Sequence, residues 1–118
     1  MDDERRATLE RAAARLRQLR WYERPVRVRR VRCVVTPWLF RLPWFRNFDG
    51  YATHLVLLFR DHAAATDEDL VTHELCHVWQ MQHRPIAMPL SFVRDGYEEN
   101  EYEREARRAV EATRPDLD

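Results

Sequence analysis

The stretch VTHELCHVWQ, residues 71–80, sets His73, Glu74 and His77 in the spacing H-E-x-x-H. On a helix, His73 and His77 lie about 40° apart and about 6 Å along the axis, so their rings can close on one metal ion. Glu74 falls about 100° from His73, beside the two His but angled away. That position suits a base taking a proton from metal-activated water better than it suits a ligand. Two His are not enough, because a catalytic zinc takes three protein ligands and keeps a fourth position open. The chemistry implied is metal-assisted hydrolysis, provided the rest of the chain supplies the missing ligand.

Two regions offer one. His83 lies six residues after His77, the spacing of the longer H-E-x-x-H-x-x-G-x-x-H pattern. That pattern needs a Gly where the helix ends and the chain turns back, and Gln80 stands there. On an unbroken helix His83 points about 240° from His77, away from the metal. The second region is GYEENEYEREARRAV, residues 96–110, which reads as a helix with Tyr102, Ala106, Ala109 and Val110 as its apolar stripe. Glu103 borders that stripe and Glu99 is its rival one turn earlier. Glu98, Glu101, Glu105 and Arg108 share the opposite face and are expected to be solvated. Tyr97, just before this helix, could donate to a tetrahedral oxyanion or simply pack its ring.

HELCHVWQ followed by NEYEREA resembles the small gluzincin-type (minigluzincin-like) zinc metallopeptidases, in which a second helix carries an E-x-x-A or E-x-E-A element. The resemblance covers roughly residues 50–110. It implies that Glu103 is the third zinc ligand beside His73 and His77, that the cofactor is Zn2+, and that Glu74 is the general base. Two departures stand out. The dipeptide before the helix is Asn100-Glu101, where relatives often have N-P. Arg107 stands where several gluzincins carry an Asp that supports a ligand His. The support for the His pair is therefore unassigned.

The elements that must position these groups read as follows. Residues 3–20 have Leu9, Ala12, Ala13, Leu16 and Leu19 at helical spacing. Residues 24–37 alternate as a strand, with a break at Arg29-Arg30 that a bulge would absorb so that both apolar sets share a face. The aromatic segment 38–50 reads as a loop that packs its rings on the core, or else as an exposed ledge. YATHLVLLF, residues 51–59, reads as one strand. Residues 61–70 form a polar connection, with Thr66 as N-cap of a helix over 67–83 that Pro85 ends. Residues 84–97, with Pro85, Pro89 and Gly96, read as a loop, and the last helix starts near Glu98 and fades before Pro115.

The 118 residues suffice for one modest core, so 1–118 is expected to be a single domain of α+β class. That domain is a compact zincin-like unit, with two or three strands on the H-E-x-x-H helix and helices at both ends. Twenty basic residues, all Arg, balance twenty acidic ones, so whole-chain charge points to neither nucleic acid nor a charged substrate. No run of 18 apolar residues and no apolar h-region appear, so neither a membrane span nor a secretory signal is expected. Cys33 and Cys76 read as buried reduced thiols of a cytoplasmic protein. His54 and His62 have no evident partner.

The expected function is hydrolysis of peptide or protein substrates by a monomer, without nucleic acid or membrane. The strand 51–59 would lie across the cleft and pair with bound peptide. Loose specificity would come from 38–48 and 84–97. A non-catalytic or latent zinc module is one alternative. A Spartan-like DNA-linked protease, suggested by the arginines of 24–32, is another, and the neutral net charge speaks against it.

Overall fold

Residues Glu68–His83 form the helix on which the other elements are arranged. In the computed structural model, which describes residues 2–115, the order is α1 (Asp3–Leu16), β1 (Arg32–Val35), β2 (Gly50–Ala52), β3 (Val56–Phe59), α2 (His62–Ala65), α3 (Glu68–His83), α4 (Ala87–Asp95) and α5 (Glu101–Thr113). A 3-10 turn at Leu39–Arg41 lies between β1 and β2. The class is α+β, as expected. Among the described residues no helix is long and apolar enough to cross a membrane.

Local signals start and stop α3. Asp67, one residue beyond the expected Thr66, is its N-cap and accepts from the Leu70 N–H at 3.2 Å. Glu68 and Asp69 suit the positive end of the helix, and Arg84 closes it before Pro85. Thr66 instead caps the C-terminal end of the short α2. Ten of the sixteen residues of α3 are buried, far more than a one-sided apolar stripe would require. The helix is covered by α1, α5 and β2.

α1 buries Leu9, Ala12, Ala13 and Leu16, the expected face, but ends at Leu16 rather than residue 20. Tight bonds from Gln18 N to Arg15 O and from Leu19 N to Leu16 O turn the chain there, leaving Leu19 partly buried against the core.

The sheet corrects three expectations. Only Arg32–Val35 of the segment 24–37 is a strand. Upstream, the extended backbone runs along the C-terminal half of α3, whose side chains replace a partner strand. The Arg27 N–H donates to Gln82 Oε1 and its carbonyl accepts from Gln82 Nε2, at 3.0 and 2.7 Å. The Trp79 indole donates to the Arg24 carbonyl at 2.8 Å. In place of a bulge at Arg29-Arg30 there is a turn, closed by Val31 N on Val28 O. It still sends Val26, Val28, Val31 and Cys33 into the core.

Residues 51–59 are a hairpin, not one strand. Thr53 breaks them: its hydroxyl donates to the Val56 carbonyl and accepts from the Val56 N–H. The strand order is β1-β3-β2, with β1 parallel and β2 antiparallel to β3. β3 is therefore central and β2 is the edge beside α3, so the expected cleft edge shrinks to Gly50–Ala52. Residues 84–97 are also not a plain loop, since α4 occupies Ala87–Asp95. Pro89 fits its first turn, where a missing N–H has no intrahelical acceptor to lose. Gly96 ends it at φ 75°.

α5 starts three residues later than expected because Asn100, fully buried, caps it and accepts from the Tyr102 and Glu103 N–H groups. Arg15 ties its far end to α1 and α3. The Arg15 guanidinium is 4% exposed as a residue and donates to Asp69, Glu68, the Val110 carbonyl and Thr113. Its hydrogen bond holds the Asp69 carboxyl below the usual range. A depressed carboxylate stabilises the fold above its unfolded pKa and loses that contribution as pH falls through the folded value. Arg15→Met is expected to cost about 2–3 kcal/mol in urea melts at pH 7. The cost should shrink as pH falls below the ordinary carboxylate range and through the depressed Asp69 value, where the carboxyl of the wild type is protonated too.

Candidate metal centre

His73 and His77 sit one turn apart on α3, and Glu103 sits on the buried face of α5 that packs against it. Glu103 Oε1 lies 2.7 Å from His73 Nε2, and Oε2 lies 2.9 Å from His77 Nε2. The carboxylate thus spans both rings, with its side chain 1% exposed. Burial alone would raise the Glu103 pKa, but the hydrogen bonds from His73 and His77 outweigh it and hold the carboxyl well below the usual range. For His77, burial favours the neutral ring. The Glu103 hydrogen bond and the charges of Glu74 and Glu103 outweigh that, and its pKa is raised.

These three groups could hold a metal ion. One donor atom from each lies within 4.8 Å of the others. Tetrahedral coordination with bonds of about 2.1 Å spaces donors about 3.4 Å apart, which fits that cluster. The chemistry of the donor set fits as well. His77 Nδ1 is taken up by Gln80 Oε1 at 2.8 Å, which leaves Nε2 to face the cluster. A cation also suits a carboxylate buried this deeply.

Glu74 is buried but is not one of the three. Burial raises its pKa, against the pull of the neighbouring His77 and His73. It sits under the sheet edge so closely that a Cβ on Gly50 would come 3.2 Å from Glu74 Cγ and from the Phe59 ring. Beside Glu74 and His77 opens a cavity of about 330 Å³, walled by Phe45, Tyr51, Met81, Met88 and Phe92. On the His73 and Glu103 side lies a second recess of about 450 Å³, with Asp69, Arg107 and Arg114 in its wall. Phe48, Gly50, Glu74 and Tyr97 border both.

Tyr97 meets its packing reading. Its ring packs 4.9 Å from Phe48 and 6.0 Å from Phe92. Its hydroxyl interacts with Glu103, and burial together with the charges of Glu103 and Glu74 pushes the phenol up. Arg107 lies 3.6 Å from Glu103 Oε1.

Other candidates lie elsewhere. His83 stacks on Tyr22 at 5.1 Å and its Nε2 meets the Arg24 N–H, so it is turned away from the cluster. Glu99 is exposed. Cys76 is buried in the core, as expected, and so is Cys33. His54 touches the Pro85 carbonyl and His62 pairs with Glu4. Trp38 and Trp44 form an exposed ledge at 64% and 77%, while Phe40 packs inward, so the segment 38–50 is split between its two readings.

Three residues escaped the sequence reading. Asn100 caps the ligand helix, and N before a helical pattern is a signal that could have found it. Gln80 backs His77. Glu105, expected in solvent, accepts from Tyr22 and Gln80.

Glu103→Ala is expected to weaken divalent-metal affinity by ~100-fold or more, and His83→Ala by less than about threefold, in competition with a chromophoric chelator. Metal must displace a proton from His77, whose pKa is raised, so apparent affinity should fall as pH drops below that value.

No protein-family model, curated protein or solved structure matches this chain, so the reading of the centre stands on its own donors and geometry.

Proposed function

We propose that the chain is a zinc-dependent metallopeptidase, with His73, His77 and Glu103 as ligands and Glu74 as general base. One observation carries the reading. A fully buried carboxylate on α5 meets the two His of an H-E-x-x-H stretch, while the Glu of that stretch stays outside the cluster at the mouth of an apolar cavity. A structural zinc is closed by four protein ligands, whereas three ligands leave room for reactants. Two imidazoles and one carboxylate suit zinc better than calcium or magnesium, which favour oxygen donors. When bound, the ion supplies Lewis acidity, acidifying water and polarising a carbonyl.

The protein groups do the rest. Glu74 takes the proton from the attacking water and returns it to the departing amine. The Tyr97 hydroxyl, at the rim of both recesses, donates to the oxygen that gains charge. An extended substrate is held by β2. The hydrogen bonds between Asp49 and Arg60 and between Thr53 and Val56 put residues 49, 51 and 53 in the rows that bond to β3. Gly50 and Ala52 therefore aim their N–H and C=O groups at the free edge. A peptide lying along that edge sends a side chain into the 330 Å³ cavity, whose aromatic and methionine walls favour a large apolar residue.

Glu74→Gln is expected to keep its zinc and lose ~10²–10⁴-fold in peptide cleavage. Zinc content by elemental analysis beside turnover of an unstructured peptide library decides it. Loss of zinc would make Glu74 a ligand, and undiminished cleavage would remove it as base. A wild type that holds zinc but cuts nothing would make the chain a zinc-binding module. In the same library, Phe or Leu beside the cleaved bond should be preferred over Asp by ~10-fold or more, and Phe92→Ala should shrink that preference.

A further inference from the structure

Gln80 is fully buried on α3, three residues after His77. Its amide nitrogen has two acceptors, the Tyr102 carbonyl at 2.9 Å and Glu105 Oε1 at 3.1 Å. Neither can donate, so the orientation of the amide is fixed by chemistry. The Gln80 oxygen must then be the atom facing His77 Nδ1, at 2.8 Å, and Nδ1 must carry a proton. Glu105 in turn accepts from the Tyr22 hydroxyl at 2.5 Å. Burial and the Glu105 carboxylate push the Tyr22 phenol far above its ordinary pKa, so it stays a donor. Tyr22 is wedged between Trp79, edge-on at 5.1 Å, and the stacked His83.

We infer that Gln80 and Glu105 are positioning residues that fix the tautomer and ring angle of His77, with Tyr22 as the anchor of the chain of hydrogen bonds. The inference rests on the metal reading above for its purpose, but not for its geometry. A ligand His is ordinarily backed directly by a carboxylate or carbonyl. Here an amide stands between, and the carboxylate acts one link away. The link spans three parts of the molecule: α3, α5 and the turn after α1. It also gives His83 a use without metal, as the stacking face that holds Tyr22.

The test uses zinc affinity by chelator competition and the imidazole Nδ1–H of His77 by 15N-edited NMR, in the metal-free and zinc-loaded full chain. A slowly exchanging Nδ1–H, in contact with the Gln80 amide, is expected in both forms of the wild type. Gln80→Met keeps the volume but not the oxygen. It should lose that proton signal and weaken zinc binding by ~10–100-fold. Glu105→Met should weaken it by about 10-fold. Glu105→Gln can still accept from both Gln80 and Tyr22 at its amide oxygen, so it should stay within about threefold of wild type.

No protected Nδ1–H in the wild type would overturn the inference. So would wild-type zinc affinity in a folded Gln80→Met variant. If Gln80→Met fails to fold, the two Glu105 variants decide: equal affinities overturn the inference, and a Gln-over-Met difference supports it. A wild type that takes up no zinc would sink the metal reading alone, because the metal-free Nδ1–H signal still reports the arrangement.

Discussion

The Glu103 carboxylate, sunk between His73 and His77, is the contact on which the rest of the molecule depends. A buried carboxylate is costly unless every lone pair finds a donor or a cation. It therefore fixes the register of α5 on α3: sliding α5 by one residue would turn Glu103 away and put Tyr102 or Arg104 in its place. Asn100 guards one end of this arrangement by capping α5 just before Glu103, and through its amide it also holds Ser91 of α4 at 2.9 Å. Arg15 guards the other end. Between these ties Ala106 and Ala109, both fully buried, let the two helices approach closely.

The need for close approach explains why so polar a stretch sits so deep. The buried face of α3 carries Glu74, His77 and Gln80 beside Leu75, Cys76 and Val78. His77 and Gln80 are met by Glu103 and by the Tyr102 carbonyl on α5, Glu74 lies under Gly50 of β2, and the apolar residues join the main core. The arginine-only composition finds a physical use at Arg15. Arg15 reaches Asp69, Glu68, the Val110 carbonyl and Thr113 together, which needs the forked guanidinium; a lysine could not span them.

What could be seen from the sequence was local. The span of α3 and its stop before Pro85 were legible, with Thr66 taken for the cap that is Asp67, while Glu103 bordered the stripe of Tyr102, Ala106, Ala109 and Val110 and was singled out over Glu99 only by the family resemblance. What could not be seen depends on distant partners. Glu105 looks like a solvated helix residue until Tyr22, 83 positions earlier, is brought to it. Residues 24–28 look like a strand because their alternation is real, but their backbone is satisfied by Gln82 and Trp79 rather than by another strand. The break at Thr53 follows from one hydroxyl that both donates to and accepts from Val56. α4 was hidden by its own Pro89, which reads as a breaker unless the helix start is already known.

Gly50 sets the stiffness of the site. A Cβ there would lie 3.2 Å from Glu74 Cγ and from the Phe59 ring, so a side chain at this position fits only if those two side chains give way by a few tenths of an ångström. The sheet edge is therefore a hard stop above Glu74 and not a pliant lip. Inward movement of β2 has nowhere to go except into the Glu74 side chain and the Phe59 ring. The height of β2 over the Glu74 side chain is thus set by the contact at Gly50.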